Sequence, residues 1–484
     1  MIFNPKRVGL VLGPLLFILL ITLFPNPDGL SENGKYVFAI SIWMIIWWIT
    51  EAIPVYATAL LPLGLMPAMG ILPLQRISAE YMHPIIVLLL GMFLIAIAIE
   101  KTGFHRKIAF EMINVFGYSE KRIIFGFIIS TAILSTVVMS TTVVLIMLPI
   151  AFVILNIIHR HQLIMSKKFK VLLLLSIAYS SSIGSVSTLI GAPPNLLYAG
   201  TVNEMFKHNV TFVEWSLPGT LLSSTMILIL CVYVSKVLGK GAGEPAKQKN
   251  KNTNEFRKIM IEEKQRIGKT TIEQKSVVGV LIIVLMLMFT SPLWIPSNSF
   301  ITNSVIAVLG GISLFALPNL RERRKSLLDW AEVERLPFGI LFLLGGGLAL
   351  SLSFVESGLA NWIAKSLSFI NVLPFEIVVG LIVGLIMFMS NIKSNTSTAA
   401  IFIPIVANMA LLNNWSPLPV LFGITVASSF AFLLPMGTPP NALVYEKGKI
   451  PIKEMFMRGL FLNFIAIALI TVFTIFISPL FLSL

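Results

Sequence analysis

Lys393-Ser394-Asn395-Thr396-Ser397-Thr398 places hydroxyls, one amide and a lone cation between long apolar runs. Met139-Ser140-Thr141-Thr142 interrupts another apolar segment in a similar way. Hydroxyls, amides and the free N–H groups of a helix start can hold an anion with little formal charge. In hydrocarbon, such groups persist where they line a cavity or are buried against other protein, so both clusters are candidate sites for a polar ligand. Two further apolar runs are broken by Gly191-Ala192-Pro193-Pro194-Asn195 and Gly437-Thr438-Pro439-Pro440-Asn441. Paired prolines remove backbone donors and force an unwound turn.

The elements that must position these residues follow from composition. The chain has 484 residues, 56% hydrophobic and 12% charged, with mean hydropathy +0.90. That describes an all-α polytopic membrane protein and excludes a water-soluble enzyme. Its single cysteine, Cys231, excludes an internal disulfide framework and a cysteine metal cluster. The net charge of +14 reads as Lys and Arg gathered in cytoplasmic loops, not as a nucleic-acid surface.

In chain order, Val8–Leu23 is a first, retained span behind a basic start, and about Tyr36–Trp48 a second. A third, about Ala52–Leu72, carries prolines 54, 62, 67 and 73 that should kink or break it. After Pro84–Ile99 come a basic stretch, Lys101–Lys107, and an apolar hairpin interrupted at Met139. A broken span, about Val171–Ala199, follows, and then a span from Leu217 to Val234. Lys236–Lys275 is a long basic, hydrophilic linker. The second half repeats the plan: spans at about Val277–Trp294 and Val305–Ala316, the basic Arg321–Lys325, Phe338–Phe354, a hairpin, a broken span and a last span, Leu460–Leu482.

Gly91 and Gly346, Gly103 and Gly358, Thr141 and Thr396, and Pro149 and Pro404 are all separated by 255 positions. The same offset sets Met139-Ser140-Thr141 opposite Ser394-Asn395-Thr396, and the two Pro-Pro-Asn turns answer each other at a slightly shorter one. The first hairpin faces the basic side and the second should face the other. Inverted repeats with broken helices at matching positions are the signature of a secondary transporter with a midplane site. The divisions expected are 1–107 (spans, largely scaffold), 108–235 (first hairpin, broken helix, span), 236–276 (basic cytoplasmic linker), 277–359 (second-repeat scaffold spans) and 360–484 (second hairpin, broken helix, last span).

Trp47-Trp48-Ile49-Thr50-Glu51-Ala52-Ile53-Pro54, Leu344-Gly345-Gly346-Gly347-Leu348, Ser394-Asn395-Thr396 and the two Pro-Pro-Asn turns resemble the divalent anion/sodium symporter family, the INDY-like carriers of dicarboxylates, citrate and sulfate. The resemblance spans nearly the whole chain. It implies about eleven spans plus two re-entrant hairpins, a homodimer with scaffold and transport domains, and elevator-type alternating access. It implies hairpin tips that hold substrate carboxylates, with sodium between each tip and its Pro-Pro-Asn turn. The substrate-binding positions carried over are Ser140 and Thr141 at one end, Ser394, Asn395 and Thr396 at the other, with Pro193, Thr438 and Pro439 shaping the turns. The cation positions are Ser135, Met139 and Gly191, and Ser390, Lys393 and Gly437.

Two residues depart from the family pattern. Where a first Ser-Asn-Thr belongs, the chain has Met139-Ser140-Thr141, and a thioether is a poor sodium ligand. Lys393 stands where the family has a small neutral residue, so its ammonium could replace the ion. A tethered cation crossing empty would meet a barrier of about 2.5–3.5 kcal/mol, slowing the return by roughly two orders of magnitude. These departures lead to the expectation of sodium-independent exchange of C4/C5 dicarboxylates, with sodium symport as the alternative within the fold and an anion channel or membrane sensor outside it. Other conspicuous residues take plainer roles. Glu51, Glu100 and Glu356 cap or border spans, the scattered histidines suggest no metal site, and Gly345-Gly346-Gly347 serves close helix approach and not phosphate. No cofactor, metal or enzymatic activity is expected. The expected place is the cell membrane, with the N-terminus cytoplasmic and lipid around the spans.

Overall fold

The structure, a computed structural model, describes residues 5–117, 119–160, 165–166, 168–239, 268–296, 300–319, 326–366 and 373–482. Most of the expected linker, 236–276, and the basic Arg321–Lys325 lie outside the described residues. What is described is helical throughout, with one isolated bridge between Pro318 and Ser326. Nine of its helices are long and apolar enough to cross a bilayer, and four shorter apolar helices accompany them.

The first helices are α1 (Pro5–Thr22), α2 (Glu32–Thr50), α3 (Val55–Thr58), α4 (Leu61–Ala68) and α5 (Leu74–Glu80). The second span is longer at both ends than hydropathy alone suggested. Ser31 caps its start, its Oγ accepting from the Gly34 N–H at 2.9 Å, and Glu51 ends it in the left-handed region at φ 47°. The proline-rich third span is two short helices, with Pro54 capping the first, Pro62 in the opening turn of the second and Pro67 in its last turn.

One repeat then runs through α6 (Pro84–Thr102), α7 (Phe104–Phe116), the hairpin α8 (Glu120–Ser135) and α9 (Ser140–Arg160), the broken pair α10 (Phe169–Ser185) and α11 (Pro193–Phe206), and α12 (Phe212–Leu238). After α13 (Ile272–Trp294) and α14 (Asn303–Ala316) the order recurs. It comprises α15 (Phe338–Glu356), α16 (Leu359–Ser366), the hairpin α17 (Phe375–Ile392) and α18 (Asn395–Leu412), the broken pair α19 (Pro417–Ser429) and α20 (Pro439–Gly448), and α21 (Ile452–Val472). Pro149 and Pro404 lie inside α9 and α18 at matching positions.

Gly91 and Gly346 show why the repeat keeps glycine. A Cβ on Gly91 would lie 2.4 Å from the Ala307 carbonyl carbon of α14, and one on Gly346 2.2 Å from the Ala59 oxygen. Both helices approach other backbone too closely for any side chain. Thus α6 packs on α13 and α14, while α15 packs on α2, α3, α4 and α5 on one side and on α11 and α18 on the other.

The unwound segments are satisfied from neighbouring helices, as buried backbone in a membrane requires. The Trp215 Nε1–H of α12 donates to Val186 O at 2.9 Å in the first break. In the second, Phe432 O accepts from Tyr179 Oη at 3.0 Å. The many serines of α10 bond back to their own helix, Ser180 Oγ to Ser176 O at 2.6 Å and Ser185 Oγ to Ser182 O at 2.8 Å.

Candidate functional site

Each hairpin tip meets the unwound turn of its own repeat. Thr188 Oγ1 donates to Thr136 O, joining the first tip to the first break. In the second repeat the Leu433 N–H donates to Asn391 Oδ1 at 2.8 Å and Asn395 Nδ2 to Ser429 O at 3.3 Å. A Cβ on Gly437 would come within 3.2 Å of Asn391 Cα and O, so this turn lies directly on the hairpin end. The repeats also interlock: α9 packs on α20, and α18 on α11. The two tips and two turns therefore form one block.

Ser140 and Thr141 are the first two residues of α9, half-buried, with the free N–H groups of the helix start beneath them. Ser394 is the N-cap of α18, and Asn395 and Thr396 open that helix. Both tips thus place polar side chains on a helix N-terminus, hydroxyls at the first and hydroxyls with the Asn395 amide at the second, which suits an anion. Pro193 and Pro439 are the first residues of α11 and α20, where a missing N–H costs nothing. Thr438 caps α20, its Oγ1 accepting from the Asn441 N–H at 3.1 Å. Pro439 is exposed, unlike its half-buried counterpart Pro193. Beside the first tip, Met139 and Thr142 line a cavity of about 730 Å³ that α6 closes with Phe93, Ile97 and Glu100 and that Arg335 borders.

The cation positions carry the more informative geometry. Ser135 and Ser390 end or nearly end the first arms of the two hairpins, 255 residues apart, and both are fully buried. Neither Oγ has a hydrogen-bond partner. The turn asparagines, Asn195 and Asn441, are fully buried too. Asn195 Nδ2 donates to Ser185 O at 3.0 Å and Thr188 O at 2.8 Å, and Asn441 Nδ2 to Ala431 O at 2.8 Å and Leu434 O at 3.1 Å. Both amide oxygens are left without a donor. Buried acceptors are rarely left this way, and neutral oxygens from hydroxyl and amide are what a hard cation takes as ligands. A Cβ on Gly191 would lie 2.2 Å from Ser185 O, so the first turn lies close on the end of α10.

Sequence reasoning missed Asn195 and Asn441 as site residues, although each is the third member of a repeated Pro-Pro-Asn; its signal was a buried amide at a matched position. The Lys393 ammonium donates to Ile49 O at the end of α2, with Glu51 nearby. A helix C-terminus presents unpaired carbonyls and the negative end of the dipole, and a four-carbon stem reaches them. Met139, in turn, borders the cavity.

A bundle of membrane-spanning helices with two repeat-related hairpins and two broken helices closing on one polar centre defines a secondary transporter. The family model described as the sodium:sulfate symporter transmembrane region matches residues 6–483, and the chain belongs to that family, that of the divalent anion/sodium symporters. It is 36% identical to the sodium-dependent dicarboxylate transporter SdcS of Staphylococcus saprophyticus, covering 98% of this chain and 92% of the relative. It is 34% identical to the transporter of the same name from Staphylococcus aureus strain MW2, covering 98% and 91%. Among solved structures, Neisseria gonorrhoeae MtrF and the Alcanivorax borkumensis YdaH transporter each match with a TM-score of 0.55 at 14% identity, covering 98% and 97% of this chain and 95% and 98% of theirs. At that identity they share the fold alone.

Proposed function

We propose that this protein is a sodium-coupled symporter of C4/C5 dicarboxylates such as succinate, fumarate, malate and 2-oxoglutarate. The observation that carries the reading is that matched positions of the two repeats hold buried oxygens without a hydrogen-bond partner, Ser135 Oγ and Ser390 Oγ on the hairpins and Asn195 Oδ1 and Asn441 Oδ1 on the turns. Sodium is the substrate that such oxygens suit, and its two positions lie between tip and turn. The carboxylates belong at the two tips, on Ser140 and Thr141 at one end and Ser394, Asn395 and Thr396 at the other, with Pro193, Thr438 and Pro439 holding the turns. Gly191 and Gly437 keep those turns close. The relatives' name, sodium-dependent dicarboxylate transporter, supports the same reading.

The moving unit in this proposal is the block of hairpins and broken helices (108–235 without its last span, and 360–484 without its last), carried elevator-fashion against a scaffold of the other spans. Inverted membrane orientation of the two repeats, a homodimer, a cytoplasmic N-terminus and the cell membrane complete it. Sodium-independent exchange, with Lys393 in place of the ion, has less support, because the ammonium is engaged by Ile49 O. Uptake of radiolabelled succinate into proteoliposomes separates the two. Concentrative uptake into empty vesicles under an inward sodium gradient is expected; uptake that needs internal dicarboxylate and ignores sodium would replace this reading with exchange.

A further inference from the structure

Three ionisable side chains meet away from the tips, where the α5–α6 turn faces α11. Glu80 ends α5, His83 caps α6 and Glu204 is on α11; one ligating atom from each lies within 4.8 Å of the others. Glu80 is only 6% exposed and its Oε2 has no hydrogen-bond partner. A buried carboxylate oxygen without a donor, beside a second carboxylate, requires a positive charge or a proton.

The surrounding groups decide between the two. His83 Nδ1 accepts the Ile85 N–H at 3.3 Å, so a neutral ring carries its proton on Nε2, which faces Glu204 Oε1 at 3.8 Å. That nitrogen has no lone pair for a metal. Two cations stand near the cluster. Arg76 pairs with Glu356 at 2.8 Å, and the exposed Lys207 pairs with Glu204 Oε2 at 3.9 Å, so Glu80 Oε2 keeps no ion pair of its own. Tyr81, next to Glu80, donates its hydroxyl to Ala59 O at 2.6 Å and so offers Glu80 nothing.

We propose that Glu80, His83 and Glu204 form a proton-binding latch between the α5–α6 turn and α11. One proton, carried by Glu80 and shared toward Glu204, allows the two carboxylates to lie together, and its loss drives them apart. The protein thereby acquires a proton-dependent step besides the sodium dependence proposed above. The inference rests on α11 belonging to the moving unit of that reading.

The test measures docking and needs no transport, so it can fail independently of the symport reading. Spin labels are placed at the exposed Leu74 and Asn209 in a Cys231→Ser background, in lipid nanodiscs, and their distance distribution is recorded from about pH 6 to pH 9. In the otherwise unaltered protein the ratio of close to distant populations should fall as pH rises, by up to about tenfold per unit, the limit for one linked proton. Glu80→Gln, a neutral isostere, should hold the close population at every pH, and Glu204→Gln should flatten the response as well. A Glu80→Gln variant with an unchanged pH response would overturn the proposal, as would absence of any response in the parent. A close population that appears only with added Zn²⁺ or Ca²⁺ and vanishes with chelator would overturn it in favour of a metal.

Discussion

Ser390→Ala should move stability and sodium affinity in opposite directions. Ser390 is fully buried and its Oγ has no partner. Deleting the hydroxyl therefore breaks no hydrogen bond and relieves a desolvated group, whose burden is about 1–3 kcal/mol. In sodium-free buffer the variant should melt at the same temperature as the parent or higher. If Ser390 Oγ is a sodium ligand, its loss removes an interaction worth about 1–2 kcal/mol, raising the half-saturating sodium concentration for succinate uptake roughly 5- to 30-fold. Thermal melts with and without sodium, combined with sodium titration of uptake, read both quantities. The sodium-induced rise in melting temperature should shrink in the variant. A variant that melts lower in the absence of sodium, yet keeps the parental sodium titration, would refute the assignment and make Ser390 an ordinary packing residue. Ser135→Ala tests the other repeat by the same logic.

Three further outcomes follow from the geometry. Asn441→Leu leaves Ala431 O and Leu434 O without their 2.8 and 3.1 Å donors, so it should lower the melting temperature, at about 1–3 kcal/mol per carbonyl, and abolish uptake, as purified-protein melts and transport assays would register. Gly346→Ala forces a methyl against Ala59 O and should destabilise the protein by about 1–3 kcal/mol with no change in sodium titration of whatever uptake remains. Lys393→Ala frees the Ile49 carbonyl and should change the rate of uptake while preserving its sodium dependence. An exchange that is lost in this variant, and that ignored sodium in the parent, would restore the ammonium to the ion's role.

The helix order, hairpins and breaks were legible because hydropathy, proline pairs and a constant offset are local signals that membrane burial leaves little freedom to override. Met139-Ser140-Thr141 and Ser394-Asn395-Thr396 stood out for the same reason, as polar groups where hydrocarbon forbids solvent. The Lys393 contact had no sequence signature, since its acceptor, Ile49 O, lies 344 residues away and no spacing rule connects them. Asn195 and Asn441 were visible as turn residues, but the lone acceptor on each becomes apparent only after the carbonyls taking both amide protons are known. Glu80 and Glu204 belong to helices brought together by tertiary packing, so their encounter had no sequence signature.

In the proposed cycle the buried oxygens of the two repeats carry sodium with the dicarboxylate. Radioactive sodium influx, measured in the same proteoliposomes as succinate uptake at clamped membrane potential, reads that coupling. Sodium influx should appear only when external succinate is present, in fixed proportion to succinate, and should weaken in Ser135→Ala and Ser390→Ala. Succinate entry with no accompanying sodium would contradict it.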